Sequence, residues 1–230
     1  SIAREADHVI YTWAGPEIAV ASTKAYTTQM VILNLMAIDF AYKFRKITKN
    51  EAVEDIKKLY DVEQSIQKML EYDEKIKNAA DKIKDSESMF YLGRGLDYVI
   101  AVEGALKSKE ISYIHSEAFA SGELKHGTIA LITDGVPVVV NVTQSGLFEK
   151  SVSNIKEVTS RGAYVIAIAK EGNTVVEEVA DEVFYIPDVE DDYAGFPTIV
   201  IHQLLAYYLS KLKGNDVDKP RNLAKSVTVE

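Results

Sequence analysis

The spacing of apolar residues changes its period near Ser88. Before that point, residues 17–46 carry a broad apolar stripe at helical spacing, which predicts one long helix. Residues 51–84 place apolar side chains between closely spaced charges, which predicts one or two amphipathic helices acting as a connector. A short apolar run at 8–12 predicts a strand, although no neighbouring strand is apparent around it.

From Ser88 onwards, continuous apolar runs alternate with helical stretches. Strands are predicted in four runs of this kind: MFYLG before a glycine turn, VPVVVNV at 136–142, AYVIAIA at 163–169 and EVFYI at 182–186. Helices are predicted between and after them, at about 98–115, in LFEKSVSNIKEVTSR, in NTVVEEVA and at about 196–213. This alternation predicts an α/β fold in which a parallel sheet is covered by helices on both faces.

A weak internal repeat divides the chain. The stretch ADHVIYT, which begins at Ala6, matches ADEVFYI, which begins at Ala180, and the helical stretches that follow also match. The first copy is therefore expected to be the end of a module whose complete copy comes later. The expected division is the C-terminal part of a first module at 1–48, a helical connector at 49–87, a complete second module at 88–214 and a C-terminal tail at 215–230.

Composition excludes several functional classes. The 230 residues are 47% hydrophobic, and their formal net charge of -9 disfavours non-specific nucleic-acid binding. The chain has no cysteine, which excludes disulfides, thiolate metal sites and a cysteine nucleophile, and its four histidines lack metal-ligand spacing. We therefore expect no metal and no other cofactor. The lack of a visible signal peptide and of a long apolar run predicts a cytoplasmic protein.

Three charged residues share one face of the helix predicted at 98–115. At about 100° per residue, Glu103, Lys107 and Glu110 lie within roughly 60° of one another. One interpretation is a solvated glutamate–lysine pair on the surface. The other is a carboxylate base beside a lysine that tunes it or binds a sugar hydroxyl, which suits proton abstraction next to a carbonyl. The pattern alone leaves both interpretations open.

Two loops and the C-terminus carry further candidates. His126 lies in GELKHG and is either an exposed loop residue or a proton shuttle, since imidazole exchanges protons near neutral pH. TQSG at 143–146 precedes a helix, where its backbone N–H groups either receive a phosphate or form a capped turn. The C-terminal DKPRNLAKSVTVE is either disordered or docked, and a docked lysine there is able to attack a carbonyl as an amine nucleophile.

Three long motifs carry a resemblance to a known family. GPEIAVASTKAYTTQ, EGALKSKEISYIHSEAFASGELKHG and DKPRNLAKSVTVE occur in this order, and the resemblance covers essentially the whole chain. They resemble the isomerase domain of glucosamine-6-phosphate synthase, also called glutamine–fructose-6-phosphate aminotransferase (isomerising), which holds two SIS modules. The resemblance implies flavodoxin-like αβα sandwiches with parallel sheets, one complete here and one truncated at its N-terminus.

The resemblance also implies roles in the amination and isomerisation of fructose 6-phosphate to glucosamine 6-phosphate. Glu110 resembles the base that moves a proton between C1 and C2, and Lys107 resembles a lysine that contacts the sugar near that base. His126 resembles the histidine that opens the sugar ring from the neighbouring subunit, which implies a homodimer. Lys225 resembles the lysine that forms a Schiff base with the open-chain ketose.

Other positions are implied to bind the substrate. Val20 and Ser22 resemble sugar-contacting residues, Ala224 is expected to offer a backbone contact, and Glu103 is a weaker candidate on the face of Glu110. The phosphate loop of the first module and the glutaminase domain that supplies ammonia from glutamine are not found in this sequence. Residues 1–230 alone are therefore expected to be inactive or very weakly active.

Two alternative functions stay open. A non-catalytic SIS-type sensor of sugar phosphates needs neither a Schiff-base lysine nor a base, so Lys225 and Glu110 favour an enzyme over it. A fructosamine-phosphate deglycase is a related enzyme, and the AKSVTVE ending fits the synthase better than this relative. Product analysis with ammonia as the nitrogen donor distinguishes the two enzymes.

Overall fold

The computed structural model describes residues 2–225, which form an α/β fold. The first part is helical apart from an irregular stretch after the first helix, and consists of α1 (Ile2–Glu5), α2 (Lys24–Lys43), α3 (Lys49–Leu70) and α4 (Asp73–Ile83). The second part alternates strands and helices: β1 (Ser88–Gly93), α5 (Leu96–Ser112), β2 (His115–Ala120), β3 (Pro137–Val142), α6 (Phe148–Thr159), β4 (Tyr164–Lys170), β5 (Glu182–Ile186) and α7 (Gly195–Leu212). Within the described residues, no helix has the length and apolarity needed to cross a membrane.

The five strands form one parallel sheet in the order β2-β1-β3-β4-β5. Alternate residues of β1 enter two separate apolar cores, since successive strand side chains point to opposite faces. Met89 and Tyr91 pack with residues of α4, α5 and α7, whereas Phe90 and Leu92 pack with residues of α6. The expectation of a parallel sheet covered on both faces is confirmed.

One predicted strand is absent from the described residues, and one strand of the structure was not predicted. Residues 8–12 form no strand: Ile10 and Tyr11 are 59% and 65% exposed, and an apolar run becomes a strand only where a neighbour pairs its N–H and C=O groups. Conversely, β2 lies where the sequence predicted the end of a helix and a loop. The helix α5 stops at Ser112 because Tyr113 adopts a left-handed conformation, with φ of 61°, and the chain then turns to pair with β1.

The long helix predicted at 17–46 is shorter in the structure. It begins only at Lys24, and residues 17–23 form a loop that reaches the C-terminal tail. None of the 20 residues of α2, all of which belong to the described part of the chain, is fully buried. The stretch predicted as its repeat, α7, is largely buried between the sheet and neighbouring helices.

Two further helix predictions have different outcomes. The connector predicted at 51–84 is helical and consists of α3 and α4. The NTVVEEVA stretch forms a 3-10 turn, Thr174–Glu178, rather than an α-helix.

A buried histidine lies where α5 and α7 cross. A Cβ atom at Gly104 would lie 2.7 Å from Cγ of His202, so glycine is what allows the helices to approach this closely. The Nε2 atom of His202 lies 2.9 Å from Oδ1 of Asn141 in β3. Burial lowers the pKa of His202 to about 3, so the ring is neutral at ordinary pH.

This histidine makes stability depend on pH. Between about pH 3 and 6.5, His202 binds a proton in the unfolded chain but not in the folded one, so the free energy of unfolding falls as the pH falls through this window. The expected loss is about 2 kcal/mol between pH 7 and pH 5. Urea unfolding at both pH values measures this loss of unfolding free energy in the wild type and in His202→Gln. The glutamine keeps a hydrogen-bond donor for Asn141 but has no group that gains a proton in this pH range. Equal pH dependence in the two proteins would contradict the prediction.

Candidate active site

The charged face of α5 is largely withdrawn from solvent. The Nζ atom of Lys107 lies 2.6 Å from a carboxylate oxygen of Glu110 and 3.3 Å from one of Glu103. The Lys107 side chain is only 4% exposed, and those of Glu103 and Glu110 are 14% and 22% exposed. A buried ammonium group must be paired, and here two carboxylates share it. The interpretation as a solvated surface pair is therefore wrong.

The surroundings of Glu103 disfavour its charged form. Burial raises the pKa of Glu103, and the nearby charge of Glu110 adds to the rise, while Lys107 opposes it. Tyr26 of α2 lies near this site. Burial raises the pKa of Tyr26 to about 12, and the negative charge of Glu103 contributes to the rise. The helix α2 thus contributes to the surroundings of the charged face on α5.

The C-terminal tail is docked as far as the structure describes it. The backbone N–H of Val20 donates to the carbonyl of Asp218 at 2.9 Å. The Nζ atom of Lys225 donates to the carbonyl of Ala19 at 2.8 Å and to the carboxylate of Glu17 at 2.9 Å. The disordered alternative is therefore wrong for residues 215–225, and residues 226–230 lie outside the described part.

Glu17 organises the loop that receives Lys225. Its Oε1 accepts hydrogen bonds from the backbone N–H groups of Thr23, at 2.8 Å, and Ala25, at 3.3 Å, at the start of α2. Its Oε2 accepts from Ser22 and Lys225. Burial opposes ionisation, but the amide of Thr23 and the ammonium of Lys225 outweigh it and lower the pKa of Glu17 to about 2. In the sequence, the only signal for this residue is a glutamate shortly before a Ser-Thr helix start, which does not distinguish it from other loop carboxylates.

The other sequence-predicted binding residues lie near this loop. Val20 contacts the tail through its backbone, and Ser22 donates to Glu17 at 3.3 Å. Ala21 between them is buried against Ile111 of α5, which fixes the loop beside the charged helix. Ala224 lies exposed next to Lys225.

Two clefts adjoin these groups. Glu110 lines one of about 340 Å³, which tail residues 221–223 also line. Lys225 and Glu17 line a second, more open one of about 630 Å³, together with residues 11–15. The tail therefore connects the two. Lys107 contacts Glu110 of the first cleft directly, and Glu103 contacts Lys107 in turn.

His126 is placed apart from both clefts. It ends a short 3-10 turn, Leu124–His126, with an exposed side chain, and it is not among the described residues that line either cleft. The structure thus brings Glu103, Lys107 and Glu110 together on α5 and gathers Val20, Ser22 and Lys225 around Glu17, but it leaves His126 separate.

The TQSG loop is already occupied by carboxylates of the chain itself. The backbone N–H of Thr143 donates to Asp97 at 2.8 Å, and that of Ser145 donates to Asp191 at 2.9 Å. Lys170 pairs with the same Asp191 at 2.6 Å. Because the amides that an anion needs are already used, the interpretation of this loop as an open phosphate site is wrong. The described residues also contain no group of three or more histidine, aspartate or glutamate side chains that could hold a metal ion.

The chain is similar to curated aminotransferases. It is 56% identical over 230 residues to glutamine--fructose-6-phosphate aminotransferase [isomerizing] of Caldanaerobacter subterraneus subsp. tengcongensis, and 55% identical over 231 residues to that of Clostridium acetobutylicum. Both alignments cover all of this chain but only 38% of the relative. The chain thus spans well under half the length of the curated relatives it matches.

Solved structures and a family profile agree on the fold. The C-terminal domain of glucosamine-fructose-6-phosphate aminotransferase from Francisella tularensis superimposes with a TM-score of 0.89 at 38% identity, covering 95% of this chain and 61% of that one. A glucosamine-6-phosphate deaminase from Thermotoga maritima superimposes with a TM-score of 0.73 at 25% identity, covering 98% and 63%. The SIS domain profile matches residues 1–39 and 82–212, which is most of the chain, and the protein therefore belongs to the SIS domain family.

Proposed function

We propose that this chain is part of the isomerase region of a glutamine–fructose-6-phosphate aminotransferase, which converts fructose 6-phosphate and ammonia to glucosamine 6-phosphate. The observation that carries the proposal is Lys225, held by Glu17 and Ala19 at the end of a docked tail that also lines the cleft of Glu110. An amine and a carboxylate on either side of one tail suit a Schiff base followed by proton transfer. The names of the relatives support the same reaction.

In the first step, the amine of Lys225 attacks the C2 ketone of the open-chain sugar, and water leaves to form an iminium. Lys225 leaves Glu17 and gives up a proton before the attack, because only the neutral amine is a nucleophile. Ammonia then adds to C2, one proton passes from the added nitrogen to the nitrogen of Lys225, and the neutral amine of Lys225 leaves, so that C2 holds a protonated imine of the new nitrogen.

In the second step, Glu110 takes a proton from C1. The electron pair of that C–H bond forms a C1–C2 double bond, and the electrons of the C2–N double bond move onto the protonated imine nitrogen, which becomes a neutral amine. Glu110 returns the proton to C2, and the C1 hydroxyl releases its proton to water as the C1–oxygen double bond of the aldehyde forms. Lys107 pairs with Glu110, and Glu103 holds Lys107 from the other side, within reach of the sugar.

We further propose that His126 opens the sugar ring in the site of a second subunit. Its exposure and its position outside both clefts of its own chain support this role. The arrangement requires a homodimer, and sedimentation of the full-length protein tests that requirement.

The chain is also proposed to divide as the repeat predicts. In this division, residues 1–48 end a first SIS module, 49–87 connect, 88–214 form the second module and 215–230 are the catalytic tail. The family match in two separate stretches and the lack of full burial along α2 in the described chain support it. The phosphate anchor, and a glutaminase domain as the ammonia source, belong to the longer cytoplasmic protein, and the 230 residues alone are expected to be almost inactive.

Turnover by the full-length protein tests the function. With fructose 6-phosphate and ammonium, we expect glucosamine 6-phosphate as the product. Borohydride added during turnover is expected to leave one sugar adduct, which peptide mass spectrometry locates on Lys225. Binding of fructose 6-phosphate without product or adduct would instead indicate a sensor. Release of a free sugar phosphate from a fructosamine phosphate, without synthesis from ammonia, would indicate a deglycase.

A further inference from the structure

The end of α5 has an unusual conformation. Tyr113 follows the last helical residue with φ of 61°, a left-handed geometry that glycine adopts readily and a bulky residue does not. A tyrosine at such a position lowers the stability of the fold relative to glycine, so we expect its side chain to make contacts that glycine could not make. That side chain contacts the C-terminal tail.

Tyr113 holds Arg221 in two ways. Its hydroxyl accepts a hydrogen bond from the backbone N–H of Arg221 at 2.8 Å. The guanidinium of the same residue lies over the aromatic ring, 4.1 Å from its centroid, which is a favourable cation–π geometry. One aromatic side chain therefore binds both the backbone and the side chain of a single tail residue.

Each member of the contact is close in sequence to one of the two proposed reacting groups. Tyr113 comes about one helical turn after Glu110, and Arg221 comes shortly before Lys225, and both line the cleft of Glu110. The tail is attached earlier through Asn215, whose side chain donates to the carbonyl of Ile111 at 3.1 Å. The contact with Tyr113 is thus a fixed point between that attachment and the amine.

We propose that Tyr113 and Arg221 form a latch that positions Lys225 for attack on the sugar. The proposal rests on the proposed function, because it takes Lys225 as the nucleophile. Tyr113 and Arg221 are positioning residues: they set how often the amine is within reach but do not touch the reacting atoms. With the latch open, Glu17 and Ala19 remain as partners of Lys225, but the chain before it is free to move.

The matched variants separate positioning from folding. Tyr113→Gly removes the latch but suits the left-handed backbone, so thermal stability should be kept or rise. Tyr113→Phe removes the hydrogen bond and keeps the ring beneath the guanidinium. Arg221→Gln keeps the backbone N–H and removes the cation. We expect a fall in kcat of about tenfold for Tyr113→Gly and about threefold for each of the other two. The KM for fructose 6-phosphate should change little.

Limited trypsin digestion of the full-length protein tests the latch without any substrate. Cleavage after Arg221 should be about tenfold faster in Tyr113→Gly than in the wild type, and faster to a smaller extent in Tyr113→Phe. Unchanged cleavage in both variants would overturn the latch. Faster cleavage with unchanged kcat would overturn its positioning role. Failure of the proposed function is seen separately, as a wild-type protein that forms no borohydride adduct.

Discussion

Replacing Lys225 with arginine is expected to abolish synthesis of glucosamine 6-phosphate by the full-length protein. Arginine keeps the positive charge and its attraction to Glu17, so the tail is expected to stay docked. The guanidinium does not lose its proton and cannot form the iminium with C2. We expect kcat to fall by roughly a thousandfold or more, as for other nucleophile replacements.

The control for this variant is Lys24→Arg. Lys24 is an exposed lysine at the start of α2, beside the same loop, and it donates to the carbonyl of Pro16 at 2.6 Å. Because it lines neither cleft, its replacement should leave kcat within about twofold of the wild type. Retention of more than a tenth of the activity by Lys225→Arg, or an adduct trapped on another residue, would refute the role of Lys225.

Replacing Glu110 with glutamine is expected to stop the proton transfer while leaving imine formation intact. The amide has nearly the shape of the carboxylate but does not accept the C1 proton. The overall rate should fall by about 10²- to 10⁴-fold, the usual contribution of a general base. Borohydride should still trap the sugar on Lys225, because that step precedes the one that Glu110 performs.

Isotope transfer gives the direct measurement. With fructose 6-phosphate that carries deuterium at C1, the wild type should deliver deuterium from C1 to C2 of the product, whereas Glu110→Gln should form almost none of this product. Glu117→Gln is the control, since Glu117 is a half-exposed carboxylate on β2, with its side chain 51% exposed. Normal turnover by Glu110→Gln would show that another group is the base, and Glu103 is the nearest carboxylate beside Lys107.

Some of the site was visible in the sequence because it depends on local spacing. The helical positions of Glu103, Lys107 and Glu110 follow from the helical period, which predicts a shared face before any contact is known. The helical period does not predict the burial of Lys107, because the same spacing also fits a solvent-exposed glutamate–lysine pair. Burial depends on what packs over that face, and Tyr26 on α2 is one of the residues that approaches it.

Glu17 shows why another part of the site was missed. Its partner Lys225 lies 208 positions away, and its remaining hydrogen bonds go to the backbone at the start of α2 and to Ser22. No local pattern distinguishes such a glutamate from any other loop carboxylate. The occupied TQSG loop is similar, because Asp191 reaches it from a distant loop.

The sequence by itself determined the α/β class and the four apolar strands, because continuous burial on both faces demands uninterrupted apolar residues, and it also predicted the helices α5, α6 and α7. Only the tertiary structure shows that residues 115–120 form the strand β2 and that residues 8–12 form no strand. The backbone of β2 is paired with β1 although its side chains are mixed, whereas the apolar run at 8–12 pairs with no strand in the described chain. Strand pairing and the docking of the tail both depend on long-range partners, which the spacing of residues along one segment does not encode.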